Sequence, residues 1–139
     1  MRTKITAAIG VIALALPIAN AAAAAKRKVV SVTKTITGPQ AIADRWGYVE
    51  VVLTVKKTTT TVGTHKKVTR TIKNVTVPVY PNHTDRSVFI NQQAIPLLTN
   101  EVLTMTKFNP NIELVGGATA TSYAFAQSLQ SALIQAKQI

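Results

Sequence analysis

Two stretches that alternate with a period of two lie between Gly47 and Tyr80, and they narrow the possible folds more than any other feature of the chain. In Gly47–Lys56, Val49, Val51, Leu53 and Val55 share one face while Tyr48, Glu50, Val52 and Thr54 share the other. Such a segment is a strand buried on one side, because successive strand side chains point to opposite faces. The period returns over Lys66–Tyr80, with Val68, Arg70, Ile72, Asn74, Thr76 and Pro78 in one register and Thr69, Thr71, Lys73, Val75, Val77 and Val79 in the other. Both registers mix apolar and polar residues, which points to a bulge. Between the stretches, Lys57–His65 holds threonines, Gly63 and no large apolar anchor, and predicts a mobile hairpin tip with cations on both flanks. Upstream, Val29–Thr37 alternates β-branched with polar residues until Gly38-Pro39 breaks it, and predicts a first strand.

Beyond Tyr80-Pro81-Asn82 the period changes. Val88, Ile95, Leu98, Val102 and Met105 form one helical stripe from about Asp85, and Pro96 predicts a kink or two short helices, since proline lacks a donor and crowds the preceding turn. Lys107–Ile112 reads as a loop, and Ile112–Val115 as a short extended piece. From about Thr121 to Lys137, Phe125, Leu129, Ala132 and Ala136 fall on one face with glutamines opposite, predicting a C-terminal amphipathic helix. Strands followed by helices make this an α+β domain, an antiparallel sheet with helices packed on it.

The first 25 residues have the layout of a secretory signal peptide: Arg2 and Lys4, an uncharged apolar stretch from Ile5 to Ala19, then alanines that offer A-x-A cleavage registers. The apolar stretch is shorter than the roughly 20 residues that cross a bilayer comfortably. An uncleaved N-terminal anchor is the alternative, and in either case the domain at residues 26–139 is expected to be extracytoplasmic, secreted or held at the cell envelope. Of the 16 Lys and Arg, 14 lie beyond the leader against five Asp and Glu, a net +9. Outside a cell such a charge suits anionic envelope polymers or lipid surfaces, and solvated surface lysines explain it without any partner. Nucleic acid is not an expected partner, because the few aromatics are not interleaved with the cations as a stacking platform. The chain has no cysteine, so disulfides, thiolate metal sites and thiol redox chemistry are excluded.

The segment most suggestive of chemistry is Glu113-Leu114-Val115-Gly116-Gly117-Ala118-Thr119-Ala120-Thr121-Ser122. Paired glycines permit backbone angles and close approaches closed to other residues. Thr119, Thr121 and Ser122 offer hydroxyls where the first amides of a helix lack partners, a setting that favours an anion such as phosphate. A simple N-cap after a tight turn explains the same residues without a ligand.

This run resembles the motif of the FMN-binding domain family, found in the C subunit of the sodium-pumping NADH-quinone reductase, the G subunit of the related ferredoxin-oxidising complex and small exported flavoproteins. That motif is an acidic residue, two variable residues, Ser or Thr, then Gly-Ala-Thr before a Thr-Ser helix start. Here Glu113 takes the acidic position, Gly117-Ala118-Thr119 and Thr121-Ser122 match, and Gly116 stands where a hydroxyl residue is usual. Asp44-Arg45-Trp46-Gly47, Tyr80-Pro81, Asp85-Arg86-Ser87, Ile90-Asn91 and Ala94-Ile95-Pro96-Leu97-Leu98 also look like the small exported members, so the resemblance runs from about Gly38 to Ala136. It implies an FMN cofactor joined through a phosphodiester to the threonine at Thr119, by a separate flavin transferase that reads the surrounding residues. The start of the Asp85 helix, with Arg86 and Ser87, is expected to supply part of the flavin site; Arg86 suits either a contact with the phosphate or a solvated surface position.

The resulting expectation is an electron carrier rather than a stand-alone enzyme, working between a membrane donor and an extracytoplasmic acceptor. Two alternatives stand beside it: a basic envelope-binding module of the same fold without flavin, and reversible FMN binding. His65 and His83 lack a partner at metal-ligand spacing. Trp46 suits either a core position or a place near the flavin.

Overall fold

The structure is a computed structural model, and it describes residues 26–139; the leader lies outside them. Strand β1 runs Lys28–Thr37, the short β2 Ala41–Ile42, β3 Tyr48–Val62 and β4 His65–Val79, with one 3-10 turn at Asp44–Trp46. Helix α1 spans Asp85–Thr104 and α2 Thr119–Ala136. The fold is α+β, with an antiparallel sheet in which β3 pairs with β1, β2 and β4. Ala41 faces Val49 and Ile42 faces Tyr48 across the β2–β3 pair. Among the described residues no helix is long and apolar enough to cross a membrane.

The chain divides into two compact units, one made of residues up to Ser31 with Thr58–Thr69, the other of Val32–Lys57 with Arg70–Ile139. The first contains the hairpin end. Lys57–His65, expected as a loose connection, is nearly all strand: β3 continues to Val62 and β4 begins at His65. Only Gly63 and Thr64 turn, with Gly63 at φ 61°, the positive angle that a type II′ hairpin requires at its first central residue. The threonines favour extended backbone without needing a core, and none of Thr58–Thr69 is buried.

The second unit holds the core. Val49, Val51, Leu53 and Val55 of β3 are fully buried, as their alternation predicts. On β4 the buried residues are Ile72 and Val75, three apart, with Val77 half-buried. The inward face therefore changes parity between Ile72 and Val75, as an extra residue in the strand would produce. From α2, Phe125, Leu129, Ala132 and Ala136 are buried, joined by Ala124 and Leu133. Burial of each large side chain contributes roughly 1.5–3 kcal/mol relative to exposure, so β3 and α2 carry most of the apolar stabilisation.

Helix α1 departs from expectation twice. It is one continuous helix through Pro96. Pro96 and Gln92, whose carbonyl loses its donor, are both exposed, so water can satisfy that carbonyl and the helix is not divided in two there. Its buried face is Ser87, Asn91, Ala94, Leu98 and Val102. Leu98 and Val102 were foreseen, but Val88, Ile95 and Met105 are only half-buried. The extended piece expected at Ile112–Val115 is irregular chain.

Candidate functional site

The Gly-Gly turn is built from within. The Ala118 amide donates to the Val115 carbonyl (3.0 Å), closing a four-residue turn. Gly117 has φ 82°, the third-position angle of a type II turn that side chains resist. Ser122 then locks the turn to α2: its hydroxyl donates to the Ala118 carbonyl (2.8 Å) and accepts from the Val115 amide (3.0 Å). Ser122 is fully buried, so its hydroxyl serves the fold. Gly116 differs from its neighbour, because its φ is ordinary and an added Cβ would meet nothing within 4 Å. Gly117→Ala is therefore expected to lose about 1–2 kcal/mol to left-handed strain. Gly116→Ala is expected to be neutral or to gain up to about 1 kcal/mol, by narrowing the unfolded ensemble. Urea titration of the two variants checks the opposite signs.

The two helix starts are capped differently. At α1, Thr84 accepts from the Ser87 amide (3.0 Å), and its hydroxyl donates to Ser87 Oγ (3.0 Å). At α2, the N-cap is Ala118, which makes no side-chain cap hydrogen bond. The positive end of α2 is thus left open to an outside acceptor.

Both starts border one cavity of about 540 Å³. Gly117, Ala118, Thr119 and Thr121 line it from α2 and its turn, and Arg86, Ser87 and Asn91 line it from α1. Trp46, Pro81, Ile90 and Tyr123 supply apolar and aromatic surface. Thr119 and Arg86 are exposed, whereas Thr121 and Ser87 are buried. Arg45 lies over the Trp46 ring, its guanidinium 4.9 Å from the centroid. His83 stacks on the same indole, with centroids 6.2 Å apart and planes inclined by 26°. These two exposed side chains flank a tryptophan that itself remains 39% exposed at the cavity wall. Asp44, also on the wall, holds φ 53°, a left-handed angle that aspartate tolerates better than most residues.

Most of the residues singled out from the sequence thus share one cavity: Thr119, Gly117, Ala118, Thr121, Arg86 and Ser87. Three do not line it. Gly116 sits in the exposed turn and Ser122 beneath it, while Glu113 borders a separate shallow recess, with its amide donating to the Glu101 carboxylate (3.0 and 3.1 Å). Sequence reasoning missed Asn91 as a wall residue. It is 2% exposed, its Nδ2 donates to the Pro81 carbonyl (2.7 Å), and its Oδ1 is buried with no partner. The signal was present in the helical steps from Ser87 to Asn91 to Ala94 to Leu98, which define a face as regular as the purely apolar stripe. Compared with known proteins, the chain matches no family model and no curated sequence.

Proposed function

We propose that this chain is an extracytoplasmic flavoprotein that carries FMN, ester-linked to Thr119, and passes electrons between a membrane donor and an external acceptor. The observation that carries the reading is one cavity joining an exposed threonine at an uncapped helix start, a cation and an aromatic wall. Its volume of about 540 Å³ lies within the roughly 300–1,000 Å³ typical of cofactor sites. A phosphate suits the exposed Arg86 guanidinium and the uncapped start of α2, and a flat ring suits the apolar and aromatic wall, so the residues present fit the group.

FMN, when bound, supplies the electron-accepting and electron-donating chemistry that a chain without cysteine lacks. In this reading the free amides at the start of α2 and the Arg86 guanidinium hold phosphate charge. Trp46, Pro81, Ile90 and Tyr123 offer apolar surface on which a planar ring can lie. Attachment by a flavin transferase would join Thr119 Oγ to the phosphorus of a donor that carries FMN as an activated phosphoester; the donor's P–O bond to its leaving group breaks, and the hydroxyl proton departs with that group. Gly117 and the buried Ser122 keep the turn in shape while the threonine is displayed. Export rests on the leader at residues 1–25.

The reading is tested on protein exported from a host that has a flavin transferase, denatured and desalted before its mass and visible spectrum are taken. A flavin spectrum with an FMN-sized mass increment is expected. Colour lost on denaturation supports reversible FMN binding instead. A second reading, an envelope-binding module without flavin, is favoured by the unit at the hairpin end, where Lys26, Arg27, Lys28, Lys66 and Lys67 are all exposed and no acid occurs among its described residues. A colourless protein that binds no FMN and leaves the envelope at modest salt is its signature.

A further inference from the structure

The unit made of residues 26–31 with Thr58–Thr69 has no core: none of its described residues is buried. It is built of strand all the same, and Ser31 Oγ and Thr58 Oγ1 lie 3.3 Å apart between β1 and β3. A sheet segment that covers neither of its faces is marginal in water. Its charge is of one sign. Lys26, Arg27, Lys28, Lys66 and Lys67 are exposed, and all five acids of the chain fall in the other unit. Among these cations stand Val29, Val30, Val62 and Val68, each between 39% and 53% exposed. By the period of the strand, Lys28 shares a face of β1 with Val30, and Lys66 shares a face of β4 with Val68.

Charge alone would suit any polyanion. Aliphatic side chains interleaved with it favour an anionic bilayer, where cations meet headgroups while apolar groups reach the acyl boundary. The contact stays shallow, because the edge strands β1 and β4 carry backbone donors that hydrocarbon cannot satisfy. Lys26 is also where the domain joins the leader with its apolar stretch from Ile5 to Ala19, so a retained leader would hold this same unit against the membrane.

We propose that this unit docks the domain on an anionic lipid bilayer, with Lys28, Lys66 and Lys67 at the headgroups and Val30, Val62 and Val68 at the acyl boundary. The docking surface goes beyond the flavin reading and does not depend on it, since none of the unit's residues lines the cavity.

The test uses residues 26–139, which hold the described core, so that no leader anchors them. Flotation measures binding to phosphatidylcholine vesicles with and without phosphatidylglycerol, and anisotropy measures binding to labelled polyglutamate. Binding is expected to need phosphatidylglycerol, to weaken as salt rises, and to be the same with FMN bound. Lys66→Gln/Lys67→Gln should bind the anionic vesicles about thirtyfold more weakly, about fivefold for each cation. Val62→Thr/Val68→Thr keeps charge and strand propensity. It should bind those vesicles about fivefold more weakly and polyglutamate within about twofold of the wild type. All four positions are exposed, so both variants should fold. Equal binding to the two kinds of vesicle, or binding to neither, overturns the proposal while leaving the flavin reading in place. Undiminished binding by the lysine variant places the contact on another surface and overturns it as well. Undiminished vesicle binding by the valine variant overturns the lipid contact and makes the unit a site for anionic polymers.

Discussion

Replacing Gly38 with alanine is expected to destabilise the protein by about 2–4 kcal/mol and to lower its melting temperature by roughly 10–20 °C. Gly38 lies where β1 gives way to β2, and its amide donates to the Val51 carbonyl (2.8 Å). A methyl group there would overlap the Ser128 carbonyl oxygen of α2, and would stand 2.6 Å from Ser128 Oγ and 3.1 Å from the Ser128 carbonyl carbon. The missing side chain lets α2 approach closely enough for Ser128 Oγ to accept from the Val51 amide (2.9 Å). A helix serine thus satisfies a strand amide on the sheet's central strand. Ser128→Ala should lose about 1–3 kcal/mol by orphaning that amide. It should not rescue Gly38→Ala, because the closest overlap is with backbone. Denaturant titration of the two single variants and the double variant checks this, and full rescue by Ser128→Ala would show that the hydroxyl, rather than the helix backbone, sets the limit.

The parts of the fold legible in the sequence are those where burial and chemical type coincide. On β3 every inward residue is aliphatic, so Val49, Val51, Leu53 and Val55 declare their face without help. Helix α1 breaks that coincidence. Its inner face begins with Ser87 and Asn91, and an apolar stripe drawn from Val88 and Ile95 is rotated away from it. Polarity inside the helix marks the cavity wall, so the residues that misled the periodicity are those that line the site. The hairpin was under-read for the opposite reason: its threonines have strand propensity but bury nothing. At Pro96 the expected division into two short helices does not occur, because the carbonyl that loses its donor is on an exposed residue that water can reach.

The candidate site was legible in its turn and less so in its wall. Gly117-Ala118-Thr119 and Arg86-Ser87 are far apart in sequence, and local chemistry alone links them only as two helix starts. The fold supplies the rest by setting the start of α2 and the start of α1 on one cavity. The open cap at Ala118 and the satisfied cap at Thr84 then distinguish two starts that look alike in sequence, since both are rich in hydroxyl residues. Glu113 takes the acidic position of the motif that the turn resembles, yet its amide is tied to Glu101 and its side chain is exposed beside another recess.

Thr119→Ala is expected to abolish denaturation-resistant flavin altogether while leaving stability within about 0.5 kcal/mol of the wild type. The side chain is exposed at the first position of α2, and the cap of that helix uses no side-chain hydrogen bond, so its removal should disturb neither the turn nor the core. Alanine also suits a helix at least as well as threonine does. Thr119→Ser should retain attachment, because the hydroxyl and its place on the turn are both kept. Gly116→Thr provides the complementary gain: the position has an ordinary φ and open space around it, so a hydroxyl residue there should fold normally and raise the extent of transfer if the transferase reads that position. Intact mass after denaturation, taken for all three variants coexpressed with the transferase, separates the possibilities. Flavin still bound to Thr119→Ala after denaturation would place the linkage on another residue. Flavin that washes out of the wild type and variant alike, with similar affinity before denaturation, would instead make the cavity a reversible FMN site in which Thr119 has no covalent part.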